Sequence, residues 1–234
     1  PADGDSVLAV GAINPWSGCH TNFSSFGPSS DKELKPNVTA VGHVIAYHKL
    51  LKMSETQGTS FSAPLVAGFA ACAWQANPTL TNWELLKRIE TSGDLYPYFD
   101  YAHGYGVPQA DCFLSNTASK LNDSAFIVDI GDSVVTISIR DDLLINDTLF
   151  HVSENHDGVI NIITKRDDGI KIDKNHPFIK HELFYYHLEN KEGFLDEFSV
   201  LSVEKNPIVK IGLDSLEDRI LRIHYYGFTR SIQF

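Results

Sequence analysis

Residues 60–74 read SFSAPLVAGFAACAW, an unbroken run without a single charged side chain. Small residues (Ala63, Ala67, Gly68, Ala70, Ala71) and larger apolar ones (Leu65, Val66, Phe69) fall on every face of the helix this run would form. A helix that is apolar all round needs cover on all sides, so this one is expected to lie buried in the middle of a domain. It is too short to cross a bilayer, so the cover has to be protein. Pro64 limits where the helix can begin. It has no N–H to give to the Ser60 carbonyl, so the regular ladder cannot begin before Ser60. A serine hydroxyl is thereby set at the positive end of the helix, beside N–H groups able to receive an anion. Acyl transfer needs that pairing of nucleophile and oxyanion donor, although an ordinary Ser/Thr cap would put a serine in the same place.

The heptapeptide Gly58-Thr59-Ser60-Phe61-Ser62-Ala63-Pro64 separates the two readings. A hydrolase nucleophile elbow needs Gly two residues after the serine, where Ser62 stands. A β-lactamase motif needs Lys three residues on, where Ala63 stands. Gly-Thr-Ser-x-x-x-Pro running into a small-residue apolar helix resembles the nucleophile motif of the subtilisin-like serine proteases (subtilases). The resemblance implies Ser60 as the attacking residue, with Gly58, Thr59 and Pro64 as the supporting motif. Phe61 and Ser62 replace the usual Met and Ala of that family.

Three upstream segments extend the resemblance. Ser6–Ile13 (SVLAVGAI) is a continuous apolar run of the kind expected for a buried parallel strand. Phe23-Ser24-Ser25-Phe26-Gly27-Pro28 and Lys35-Pro36-Asn37-Val38-Thr39-Ala40-Val41-Gly42 follow it. In this order they are similar to the family's AVGA strand, FSS-x-GP turn and KP-D-V-x-A-P-G segment. Asn37 stands where the family usually has Asp, and Val41 where it has Pro. Downstream, His103-Gly104-Tyr105-Gly106-Val107-Pro108 resembles the family's closing G-x-G segment. The likeness covers about residues 1–114.

A serine hydroxyl is a weak nucleophile until an oriented base takes its proton. In the subtilase family the order along the chain is Asp, His, Ser, and the Asp, the His and an oxyanion Asn all precede the AVGA strand. The resemblance therefore implies that this chain supplies Ser60 and its backbone N–H. The N-terminal part of the same peptidase domain would supply the Asp, His and Asn and act as partner, beside a protein or peptide substrate. None of the ten histidines (His20, His43, His48, His103, His151, His156, His176, His181, His187, His224) sits at a helix start with Gly-Thr beside it. Solvated loop and strand-face positions are expected for them, and the chain alone is expected to be inert. Pro1 in place of an initiator Met fits a start made by cleavage or truncation.

Other chemistries are weakly signalled. His181-Glu182 lacks the second His of a zincin, and His43 and His48 are not at helical spacing. Asp167-Asp168-Gly169 with Asp173 lacks the terminal Glu of a calcium loop and reads as charged turns. Calcium near residues 1–6 enters only through the family resemblance, and no other cofactor is expected. Phe184-Tyr185-Tyr186 reads as sheet core. The three cysteines are an odd set, with Cys72 expected as a small core residue of the apolar helix. A net charge of −11 argues against nucleic acid as a partner, and no run is long enough for a membrane span.

Ten of the 16 glycines and every Trp and Cys precede residue 117. The polar stretch SNTASKLND from Ser115 to Asp123 reads as a linker, and β-branched runs broken by charged turns follow. Strands are expected at Phe126–Ile130, around Val135–Ile139, and at Leu149–Val152, Val159–Thr164, Leu183–Leu188, Phe198–Val203, Ile208–Leu213, Ile220–Tyr225 and Phe228–Phe234. In the first part short strands are expected at Val44–Ala46 and Lys52–Glu55. A second helix is expected from Asn82 to about Glu90, started by the capping box Thr81/Glu84 and ended by Gly93.

The expected fold class is α/β. Residues 1–117 would be the C-terminal half of a subtilisin-like parallel-sheet domain with a buried nucleophile helix. Residues 118–234 would be a mostly antiparallel, β-sandwich-like accessory domain. By the resemblance the protein is a secreted, periplasmic or cell-surface serine endopeptidase. The alternative is an inactive pseudoprotease scaffold that carries a β-rich binding or adhesion module.

Overall fold

A computed structural model of the chain describes residues 2–48, 50, 52–115, 126–139, 150–154, 160–166, 169–173, 183–202, 208–225 and 227–234. The first part is built on two parallel strands, β1 (Val10–Ile13) and β2 (Val38–Val41), paired in register from Val10↔Val38 to Ile13↔Val41. An antiparallel hairpin follows, β3 (His43–His48) with β4 (Lys52–Gln57). It leads directly into helix α1 (Thr59–Ala76). Helices α2 (Asn82–Thr91) and α3 (Ala110–Ser115) close this part.

The capping box of α2 forms as expected. The Thr81 hydroxyl accepts the Glu84 N–H at 3.3 Å, and the Glu84 carboxylate accepts the Thr81 N–H at 2.8 Å. Leu85, Leu86 and Ile89 are buried on its inner face. Gly93 departs from expectation. The helix is capped by Ser92 in ordinary right-handed geometry, and Gly93 instead bridges to Pro108. A Cβ on Gly93 would lie 2.0 Å from the Tyr105 carbonyl oxygen, so close approach of two backbones is what demands glycine there. Helix α3 is an element the sequence reading missed.

The all-round burial expected for α1 is not what the described residues provide. Only the stripe Ser62, Val66, Ala73 is buried. It packs with Val38 and Ala40 of β2, Leu85 and Ile89 of α2, and Phe113 of α3. Leu65, Trp74 and Cys72 are exposed, which corrects the expectation of a core cysteine. Two strands and two helices have surface enough for one face of an 18-residue helix and no more.

The later part is antiparallel throughout the described residues. β5 (Phe126–Ile130), β6 (Val134–Ile139) and β12 (Ile208–Gly212) form one sheet in the order β12-β6-β5. β10 (Leu183–Glu189), β11 (Leu195–Ser202), β13 (Ile220–Tyr225) and β14 (Phe228–Gln233) form another in the order β11-β10-β13-β14. One core is filled from both: Phe126, Val135 and Ile137 meet Phe184, Leu188, Leu221, Ile223 and Tyr225. A third sheet consists of β7 (Phe150–Glu154), β8 (Ile160–Arg166) and β9 (Gly169–Asp173). β9 was not expected, because its Asp-Gly signal read only as a turn. Asp167, Asp168, His181 and Glu182 lie outside the described residues, as does the expected linker from residue 116 onward.

The two parts touch at residues 98–103 and also at Phe26 and Lys32. Tyr98 is fully buried, its ring 5.0 Å from His187 and 5.8 Å from both Tyr185 and His224. Tyr101 and Phe26 lie against Phe198 of β11.

Candidate active site

β4 delivers the chain to Gly58, where the backbone turns into α1. Gly58 has φ 151° and ψ 151°, a conformation almost confined to glycine. Its missing Cβ would meet nothing closer than 3.8 Å, so backbone conformation and not crowding selects the residue. The Gly58 N–H donates to the Gly42 carbonyl, and the Gly42 N–H to the Ile13 carbonyl. The buried Ser62 hydroxyl donates to the Val41 carbonyl at 3.2 Å. These three bonds hold the first turn of α1 at the carboxyl ends of the parallel strands β1 and β2. Crevices at that edge are where open α/β sheets bind their ligands.

Ser60 lies in that first turn and is exposed. The Phe61 N–H is taken by the Gly58 carbonyl. The N–H groups of Thr59 and Ser60 belong to the orphan donors of the helix start and face the positive end of its dipole. No side chain caps α1 and no acidic residue occupies its first turn, so nothing in that turn offsets the partial positive charge of the helix end. Pro64 falls inside α1 as its sixth residue, where its absent N–H removes the regular bond to the Ser60 carbonyl; the helix nevertheless begins at Thr59, one residue ahead of the start expected from the proline.

The histidines are not the solvated set the sequence suggested. His103, His187 and His224 are buried. His103 makes a pair with Asp100, Nδ1 to Oδ1 at 3.0 Å. Its Nε2 accepts the backbone N–H of His20 at 3.1 Å, so the ring proton sits on Nδ1 and points at the carboxylate. This is the tautomer of a catalytic His–Asp pair, yet the nitrogen that would take a proton from a nucleophile is occupied. Burial works to raise the Asp100 pKa; the adjacent His103 and the N–H groups of His103 and Ala102 more than offset it and hold the carboxyl below its ordinary value. Sequence reasoning missed this pair because Asp100-Tyr-Ala-His103 matches no motif. Side chains of His48, His151, His156, His176 and His181 lie outside the described set.

Asn37 is the hub of a second buried network. Its Oδ1 accepts the Ala9 N–H at 2.7 Å and the Lys35 ammonium at 3.1 Å, and its Nδ2 donates to Glu90 Oε1 at 2.6 Å. The Lys35 ammonium also holds the carbonyls of Val7 and Gly4, at 2.8 and 3.3 Å. Calcium does not fit the start of the chain at this point, because a lysine cation already takes the oxygens gathered there. Among the described residues no cluster of three or more His, Cys, Asp or Glu side chains could hold a metal, and no helix is long and apolar enough to cross a membrane.

A cavity of about 790 Å³ lies beside the bare flank of α1, lined by Leu65, Phe69, Val41, Thr39, Leu183 and Tyr185. Ser60 does not line it. Residues 1–106 match the model of the Subtilase family.

Proposed function

We propose, from the subtilase character of residues 1–106, that the chain is the nucleophile-bearing part of a serine endopeptidase, with Ser60 as its attacking residue. The observation that carries the reading is the setting of Ser60: an exposed hydroxyl in the first turn of α1, tied to the carboxyl edge of a parallel strand pair. Ser60 Oγ would bond to the carbonyl carbon of the scissile peptide while its proton passes to a histidine. The tetrahedral oxyanion would be held in part by the Ser60 N–H. Collapse breaks the C–N bond as the same histidine protonates the leaving amine. Water then releases the acyl group and the proton returns to Ser60.

The histidine, its Asp and the oxyanion Asn are proposed to come from the N-terminal part of the peptidase domain, outside these 234 residues. Two features support that. His103 is closed off by the His20 backbone, and the flank of α1 that carries Leu65 is left bare beside an apolar cavity. The β-rich part would be a sandwich-like accessory domain, and the whole protein secreted, periplasmic or on the cell surface.

A fluorophosphonate probe tests the reading on the chain assembled with its upstream polypeptide. Labelling of the assembled protein that disappears in Ser60→Ala is expected. Absence of labelling would overturn the proposal and leave the inactive scaffold with a binding module. Peptide hydrolysis by the 234-residue chain alone, lost in Ser60→Ala, would overturn the assignment of the triad to a second segment.

A further inference from the structure

We propose that the β-rich part docks on the subtilase-like part through an acid-sensitive latch whose moving member is His187. Strand β10 lays this ring, 1% exposed, against the loop of residues 98–103. His187 Nδ1 donates its proton to the Phe99 carbonyl. The other ring nitrogen, Nε2, is buried without a hydrogen-bond partner. The Tyr98 ring stacks on it at 5.0 Å and 29°. A neutral ring suits this site better than a charged one, because an unprotonated Nε2 leaves only one acceptor unfilled. A protonated ring does not, since its second N–H would be buried with nowhere to go.

The groups around the ring offer no relief. From the 98–103 loop comes Asp100, a carboxylate whose charge acts on the ring. Its oxygens are already engaged by His103 Nδ1, the N–H groups of Ala102 and His103, and the Tyr98 hydroxyl. On β10 itself stands Tyr185, its phenol kept protonated by burial. From β11 Phe198 pairs with His187 and brings no charge. From β13 come His224, whose Nδ1 is bonded to the Thr229 hydroxyl, and Arg222, the residue directly opposite His187. Arg222 is a cation, and its guanidinium is turned to Glu189 at 3.6 Å and to the Ser231 hydroxyl. Burial first, and Arg222 second, lower the His187 pKa from 6.5 to about 4; the Phe99 bond and Asp100 oppose the shift and do not reverse it.

The sign follows from linkage. Undocked, His187 takes up a proton near its ordinary pKa; docked, it resists until about 4. Docking is therefore complete above about 6.5, weakens as pH falls from there toward 4, and loses nothing further below. At pH 5 the docking equilibrium should be roughly 30-fold weaker than at pH 8. Asp100 titrates at the acid end, below its ordinary range, and does not share this window. His20 is also held low, by burial and then by His103, but its ring neighbours Phe26 and His103 lie inside residues 1–115. The latch does not depend on any role for Ser60.

Two measurements on the whole 234-residue chain test it. In an NMR titration the His187 ring should show the Nδ1–H tautomer with a midpoint below 5; a midpoint between 6 and 7 overturns the proposal. Amide exchange of residues 98–103 and 183–189 should lose about 30-fold protection between pH 8 and pH 5, beyond the chemical pH effect. His187→Asn keeps a side-chain N–H for the Phe99 carbonyl and cannot titrate, so its protection should stay flat. Equal pH dependence in His187→Asn and the natural chain overturns the latch. Should His187→Asn fail to fold, the ring titration of the natural chain decides alone.

Discussion

Asn37 shows how one atom type settles a buried network. Its amide stands between a cation on one side and a carboxylate on the other, so it presents Oδ1 to Lys35 and Nδ2 to Glu90. Asn37→Asp would keep the contacts to Lys35 and Ala9, which exist already, and would set a second carboxylate oxygen 2.6 Å from Glu90 Oε1. The repulsion decides the outcome. We expect a loss of about 2–4 kcal/mol at pH 7 by urea denaturation. Adding Glu90→Gln should restore most of it, because the new amide can donate to the new carboxylate. The Asp expected at this place from the family resemblance would thus be disfavoured beside the Glu90 of this chain. That coupling was hidden in the sequence, where the two positions lie 53 residues apart.

Among elements, the start and inner face of α2 were legible, its end was not, and α1 was only half so. A capping box is local chemistry, written in four consecutive residues, and the structure reproduces it bond for bond. Thr81→Ala should cost about 1 kcal/mol, read as a lower urea midpoint with unchanged slope. For α1 the pattern of apolar residues states how much cover the helix requires. It does not state which polypeptide supplies that cover. Ser62, Val66 and Ala73 find it here, and Leu65 and Trp74 do not. Period-two alternation located β5, β6, β10, β12 and β13, since each of them sends side chains into a shared core. The buried histidines were illegible for the opposite reason. A polar ring goes inside only where partners accommodate it, and the His20 N–H on His103 and the Phe99 carbonyl on His187 are backbone groups 83 and 88 residues away.

At the scale of the molecule, the junction between the two parts rests on a single aromatic side chain more than on any polar bond. Tyr98 is buried from both sides and touches His187, Tyr185 and His224. Its hydroxyl adds only one long bond to Asp100, 3.3 Å, and that carboxylate has other donors. Tyr98→Phe should therefore cost about 1 kcal/mol or less. Tyr98→Ala should cost about 3–5 kcal/mol, as for other large aromatic truncations. Scanning calorimetry of both variants checks the order; similar losses would mean that the hydroxyl, and not the ring, holds the junction.

Lys35 carries one more implication. The turn at Gly4–Val7 is moored by an ammonium that is covalently part of the chain. Where a bound ion would leave with a chelator or a fall in its concentration, this mooring travels with the polypeptide. The turn next to Ala9 is therefore expected to keep its place in EDTA, read as an unchanged urea midpoint.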